Sequence, residues 1–118
     1  MLPDDRDNAY LWDMLDAARS ACEFTRGQSF DAYQQDRKSQ LAVERAVEII
    51  GEAARKVSEE FRAAHPELPW RSMIAQRNVL VHEYGDIKQE RMWLLVTEHL
   101  PALILDLEKL LPPASLTG

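Results

Sequence analysis

Apolar residues recur along this chain at the three- and four-residue spacing of helices that each bury one face. Tyr10, Leu11, Met14, Leu15, Ala18 and Cys22 share such a face and predict a first helix from about Arg6 to Thr25. Gly27, free to take the left-handed conformation, is its stop. Ser29 is a good N-cap and opens a short helix or turn over Phe30 to Asp36. From Arg37 to Arg62 there is no proline and one glycine, a length of about seven turns. Leu41, Val43, Ala46, Val47, Ile50, Ala54, Val57 and Phe61 give that helix a broad apolar face. Arg45, Glu48, Glu52 and Arg55 form a polar stripe on it. Spacing favours a solvated face with ion pairs three and four residues apart, against the lining of a cleft or a dimer seam.

His65-Pro66-Glu67-Leu68-Pro69 is a two-proline break, and Trp70 opens a third helix that runs from Arg71 to about His82. Tyr84-Gly85-Asp86 reads as a stop and turn. The last helix extends from about Lys88 to Leu111, with Met92, Leu95, Val96, Leu100, Leu103, Ile104, Leu107 and Leu110 inward. Pro101 lies inside it, lacks a backbone donor and predicts a kink. Pro112-Pro113 ends the helix, and Ala114 to Gly118 is a loose tail. The expected fold is all-α: an up-and-down bundle of four main helices plus a short one, with a kinked last helix. It forms one domain over residues 1–118 with an ordered core from about 5 to 111.

Length and composition agree with this picture. The 118 residues suit one domain, and 46% hydrophobic with 29% charged residues is ordinary for a globular protein. Four glycines and six prolines supply too few turn signals for a sandwich or barrel. The single cysteine, Cys22, allows no intrachain disulfide and no Cys-rich metal site, and its setting reads as a packed small hydrophobe. The acidic, polar N-terminus does not read as a signal peptide, and no run has the roughly 18–20 apolar residues of a membrane span. A cytoplasmic location without membrane attachment is the expectation. The net charge of −6 argues against a non-specific nucleic-acid coat, but it is compatible with a small focused RNA site or with a basic partner.

Most polar residues read as surface. The exception is Gln76-Arg77-Asn78-Val79-Leu80-Val81-His82-Glu83-Tyr84, which crowds Arg, Asn, His and Tyr at the end of a helix. Asn78 and His82, four apart, share a face, whereas Arg77 and His82 stand about 140° apart on an ideal helix. A long arginine at a helix end can still reach the imidazole. A guanidinium grips a phosphate with paired hydrogen bonds and stabilises charge that builds during phosphodiester cleavage. An imidazole titrating near neutrality can take a proton from a ribose 2′-OH or give one to the leaving 5′-oxygen. Asn78 can orient the imidazole or hold the turn. No metal is expected, because the 2′-OH is the built-in nucleophile and His65, His82 and His99 lack metal-ligand spacing. Acid and base are both needed, yet the segment has one histidine, so a two-fold homodimer that pairs two copies across a cleft is expected. The competing reading is structural: a lone helical histidine is more often a surface or capping residue, and a tyrosine near a helix end is usually packed. Trp70 and Trp93 read as core or interface anchors.

Arg77, four residues, His82, one residue, Tyr84 resembles the RX4HXY pattern of the HEPN superfamily, in particular of HepT-like toxins. Asn78 fits the polar residue commonly found after that arginine. The segments Ala46–Ala54, Pro66–Trp70 and Leu100–Leu103 resemble the central helix, the connector and the last helix of the family, so the likeness covers about Asp5 to Leu111. The resemblance implies a dimer whose two motifs face one cleft, and a metal-independent toxin ribonuclease of a toxin-antitoxin system acting on cellular RNA. It implies Arg77 and His82 as the catalytic pair and Asn78 as their support. It further implies a nucleotidyltransferase antitoxin that would use ATP, with Mg, to place AMP on Tyr84; RNA cleavage itself would need no cofactor. The alternative is a catalytically inert HEPN module that binds nucleotide or a nucleotidyltransferase partner.

Overall fold

The computed structural model describes residues 4–82 and 88–111, and the side chains of all of these except 81 and 82. Among the described residues every regular element is helical. Helix α1, Asp5–Thr25, begins at Asp4, whose carboxylate accepts the Asp7 N–H at 2.7 Å. It ends at Arg26, and Gly27 follows at φ 80°, a conformation that favours glycine. Ser29 caps the short α2, Phe30–Gln34, by accepting the Ala32 N–H at 3.1 Å. Asp36 caps α3, Arg37–Lys56, accepting from both the amide and the hydroxyl of Ser39 at 3.3 and 2.7 Å.

The helix expected to continue to Arg62 instead stops at Lys56. Val57 is extended, and a second short helix, α4 (Glu59–Ala64), starts after Ser58. The cause lies far away in sequence. The buried carboxylate of Asp7 on α1 accepts the Ser58 N–H at 2.8 Å and its hydroxyl at 2.7 Å. The Ser58 hydroxyl in turn accepts the Phe61 N–H at 3.2 Å. Continuing the helix would forfeit these bonds and leave a buried carboxylate unpaired, which is costly. The break still lets Val57 and Phe61 enter the core.

Helix α5, Trp70–His82, follows the two-proline break. It is anchored by the Trp70 indole, which donates to the His65 carbonyl at 2.8 Å and meets Phe61 edge-on. The C-terminal run consists of α6 (Gln89–Leu94), a π turn (Leu95–His99) and α7 (Leu100–Leu110). Here the expected effect of Pro101 takes a definite form. Proline cannot donate to the Thr97 carbonyl, and the chain widens so that the Leu100 N–H reaches the Leu95 carbonyl five residues back.

Helix α3 lies at the centre, flanked by α1 on one side and α5 on the other, while the π turn and α7 pack on α1. Helices α1 and α3 are antiparallel: Lys56 stands over the Tyr10 ring at one end, and Phe24 shares a groove with Ala42 at the other. Small residues of both helices, Ala17 of α1 with Ala42 and Ala46 of α3, line the groove between them. Leu11, Met14, Leu15, Val43, Val47 and Ile50 fill the rest, each fully buried aliphatic side chain contributing about 1.5–3 kcal/mol. Across the α1–α7 contact, Arg19 pairs with Glu108 at 2.6 Å and the half-buried Cys22 thiol points at the Val96 carbonyl, 3.7 Å away. The thiol is packed as expected, and burial pushes its pKa up.

The polar stripe of α3 carries ion pairs at the expected three- and four-residue spacing, Arg45 with Glu48 at 3.0 Å and Glu52 with Lys56 at 3.7 Å. Leu41, counted with the apolar face, is 50% exposed instead. No helix among the described residues is long and apolar enough to cross a membrane.

Candidate functional site

Helix α5 carries Arg77 on the flank that meets α3. A glycine makes the approach possible. At Gly51 a Cβ would overlap the Cβ of Arg77 and stand 2.6 Å from the Met73 carbonyl oxygen. The backbone of α3 is therefore the seat on which the first carbons of Arg77 rest, and this fixes where its guanidinium can go. Arg77 Nε is shielded from water and has no acceptor among the described residues. Its Nη1 donates to Asn78 Oδ1 at 3.3 Å, at the surface. The ion pairs of the described residues do not include Arg77. A half-buried guanidinium with its proximal nitrogen unsatisfied and, among the described residues, no carboxylate paired with it has donors to offer an anion.

Asn78 is exposed and its Oδ1 accepts from this guanidinium; its expected roles, to orient the imidazole or hold the turn, fall on groups outside the described residues. His82 is the last residue of α5. Its side chain, and the whole of Tyr84 with the stop and turn at 84–86, lie outside the described residues, and so does the expected convergence of Arg77 with His82. Among the described residues no three His, Cys, Asp or Glu side chains are gathered as metal ligands.

The chain re-emerges from the motif at Lys88, and Gln89 is tied down by a polar relay. Buried Tyr33 donates its hydroxyl to Gln89 Oε1 at 2.9 Å, and Gln89 Nε2 donates to Glu44 Oε2 at 3.0 Å. Arg37 faces the same carboxylate oxygen at 3.6 Å. Burial, followed by the charge of Glu44, pushes the Tyr33 hydroxyl well above the ordinary tyrosine pKa, so it stays a donor. Trp93 leans on the Tyr33 and Phe30 rings, with centroids 5.2 and 6.2 Å away. The described residues on either side of 83–87 are thus both held, one side by Gly51 beneath α5 and the other by Tyr33 and Glu44 beneath α6. None of Gly51, Tyr33, Glu44 or Gln89 stood out in the sequence. The signal available for Gly51 was a glycine in mid-helix, which costs stability unless something needs the space.

A cavity of about 130 Å³ opens beside α5, between α3 and the C-terminal run. Gln76, next to Arg77 in sequence, lines it, and its amide oxygen is shielded from water without a donor among the described residues.

The chain is similar to known proteins over most of its length. The family model described as "Ribonuclease HepT-like" matches residues 14–110. A protein of Thermococcus cleftensis named "Probable ribonuclease HepT" is 42% identical over 101 residues, which is 86% of this chain and 92% of that one. A protein of Methanocaldococcus jannaschii named "Putative RNase MJ1380" is 36% identical over 100 residues, 85% of this chain and 92% of that one. No solved structure matches the chain.

Proposed function

The chain belongs to the ribonuclease HepT-like family of the HEPN superfamily, and on that footing we propose that it is an RNA-cleaving toxin that works as a homodimer. The observation that carries the reading is the Arg77 guanidinium, seated on Gly51 and free of any carboxylate among the described residues, five positions before the histidine that ends its helix. In the reaction, the ribose 2′-oxygen forms a bond to phosphorus while the bond from phosphorus to the 5′-oxygen breaks. Arg77 binds the phosphate oxygens and stabilises the charge that builds on them. One His82 takes the 2′-OH proton, and the His82 of a second copy gives a proton to the leaving 5′-oxygen. The products are a 2′,3′-cyclic phosphate and a 5′-hydroxyl. The nucleophile belongs to the substrate, so no metal-bound water is called for. Asn78, whose Oδ1 accepts from the Arg77 guanidinium, steadies it.

Regulation follows from Tyr84. A nucleotidyltransferase antitoxin that moves AMP from ATP to its hydroxyl, with pyrophosphate leaving, would add bulk and negative charge where the RNA phosphate must sit, and so repel it. The family resemblance and the position of Tyr84 two residues after His82 support this part of the proposal.

The test is incubation of purified protein with end-labelled RNA in the presence of a chelator, with Arg77→Ala and His82→Ala alongside. Cyclic phosphate ends from the wild type alone are expected. Cleavage by His82→Ala at the wild-type rate would overturn the mechanism, and a fully active monomer would overturn the shared site. No cleavage, with tight binding of the nucleotidyltransferase, would favour the inert module, to which the net charge of −6 is also suited.

A further inference from the structure

Residues 61–82 run against the charge of the molecule. In a chain of net charge −6 they hold Arg62, Arg71 and Arg77 against a single acid, Glu67. Helix α5 itself has no carboxylate along its whole length. Glu67 is already engaged, with His65 Nδ1 at 3.0 Å from its carboxylate.

Two of these arginines meet at an open groove of about 820 Å³ at the start of α5. Arg62 of α4 and Arg71 of α5 line it, together with Leu68 and Pro69 of the connector and Ile74 and Ala75 of α5. No carboxylate of the described residues is among its walls. Neither arginine enters an ion pair of the described residues. Arg62 Nε is shielded from water and has no acceptor among them. A donor in that state is a standing cost, which an incoming anion removes. Trp70, Arg71 and Ser72, the first residues of α5, also border the groove. The first amides of a helix have no acceptor within it and carry partial positive charge, so they add to the same field.

The groove is joined to Arg77 along one strip of α5. Arg71 and Asn78, seven residues apart, share a face and stand about 10 Å apart along the axis. Both are exposed, and so is Ala75 between them. At the far end of the strip Asn78 Oδ1 accepts from Arg77 Nη1 at 3.3 Å, at the surface. A chain of phosphates is the occupant that fits two cationic stations on one carboxylate-free helix. An RNA strand carries a charge at every nucleotide and continues on both sides of the bond being cut. An acidic peptide would match the charge of the groove, but nothing ties such a peptide to Arg77.

We propose that Arg62 and Arg71 form a second phosphate site, which holds a flanking phosphate of the RNA strand while Arg77 holds the one being cut. Leu68 and Ile74 offer an apolar floor to ribose and base, and guanidinium planes can stack on unpaired bases. The contact positions the strand without reading its sequence. The proposal rests on the ribonuclease reading for its substrate, but the binding it asserts can be measured without cleavage.

The experiment titrates the intact protein with a fluorescent single-stranded 2′-O-methyl RNA of mixed sequence, which lacks the attacking hydroxyl, over a series of salt concentrations. The variants are Arg71→Ala, Arg62→Gln and, as a control for loss of one surface charge elsewhere, Lys109→Ala on α7. Arg71→Ala and Arg62→Gln should each weaken binding about tenfold, as befits loss of a charged hydrogen bond. Each should also lower the slope of log affinity against log salt by about 0.7, the value of one phosphate contact on a single strand. Lys109→Ala should leave both unchanged. On cleavable RNA, Arg71→Ala should raise KM with kcat kept, because the contact is the same before and during the chemical step. Arg71→Lys should recover most of the salt slope.

Affinity and slope unchanged in both groove variants overturn the second phosphate site, as does an equal loss in Lys109→Ala. A fall in kcat with KM unchanged overturns it as a binding contact remote from the chemistry. RNA binding kept while capture of the nucleotidyltransferase partner is lost overturns it in favour of a protein-docking groove. Groove variants that turn the dimer into a monomer by mass overturn it in favour of an interface between copies. If His82→Ala cleaves normally while Arg71→Ala still weakens binding, the catalytic assignment falls and the groove stands. If His82→Ala is inactive and the groove variants bind as wild type, the groove alone falls.

Discussion

Gly51→Ala is the smallest change that tests the mounting of the site, because it adds one methyl group where α3 meets α5. Intrinsic propensity favours the substitution: in a helix interior alanine is better than glycine by about 1 kcal/mol. The packing opposes it. The new carbon would overlap the Cβ of Arg77 and stand 2.6 Å from the Met73 carbonyl, and neither atom is the far end of a flexible side chain. Non-bonded carbon contacts settle near 3.5–4.0 Å, so α5 must retreat by about 1 Å. Overpacking of this sort costs roughly 1–3 kcal/mol. Retreat also loosens buried Met73 and Leu80, each losing a part of its burial, on the order of 1 kcal/mol. Set against the propensity gain, the net destabilisation is about 1–3 kcal/mol, a fall in Tm of about 4–12 °C for a domain of this size. The functional loss should be larger, because displacing a catalytic group by about 1 Å can cost on the order of 100-fold. Thermal melts by circular dichroism and RNA cleavage rates check both. A Gly51→Ala protein that melts at or above the wild-type temperature and cleaves at full rate would refute the close α3–α5 contact and the seating of Arg77 upon it.

Three further outcomes follow from the geometry. Arg77→Ala and His82→Ala should abolish RNA cleavage and growth inhibition while the thermal melt stays within a few degrees of wild type, the arginine variant losing only an unsatisfied buried nitrogen and one surface contact. Asp7→Ala removes the acceptor of both Ser58 bonds and should cost about 1–3 kcal/mol in urea unfolding, with the amides of 59–64 losing hydrogen-exchange protection first. The Ser39 hydroxyl, then its amide, hold the Asp36 carboxylate below the usual aspartate range. A depressed carboxylate stabilises the fold above its unfolded pKa of about 3.9 and loses that contribution as pH falls through the lower folded value. The stability difference between wild type and Asp36→Asn should therefore be present at about pH 6 and vanish toward about pH 2; a difference that grew on acidification would contradict it.

Periodicity made the main helices legible, because each has one face to bury and a local cap to start it. Ser29 and Gly27 could be read as caps and stops for the same reason: their partners are within three residues. The break at Val57 could not be read that way. The residue that decides it, Asp7, is 51 positions away, and nothing in the window around Ser58 reveals a carboxylate waiting there. Leu41 illustrates the opposite failure, an apolar residue at the right spacing that stays half exposed at the start of α3. At the site, residue types and spacing pointed to Arg77 and Asn78, but not to Gly51, because its role exists only once α3 and α5 are side by side. Pro101 announced an irregularity; whether it would be a bend or a wide turn depended on the carbonyls around it.

The close pairing of α1 with α3 also has a consequence in time. Their contact closes across a short connector, residues 26–36, and short loops close cheaply and fast. The C-terminal run reaches back to α1 from the far end of the chain, through Cys22 with Val96 and Arg19 with Glu108. A chain leaving the ribosome therefore has its first hairpin, and then the arginine helix laid on it, before the last helix exists. Mutational φ-values should be high for Ala18 and Val47 and low for Leu103 and Leu107; the reverse order would refute this sequence of events. Leu100 and Leu103 are walls of the cavity beside Gln76, so that cavity is the last part of the molecule to be built.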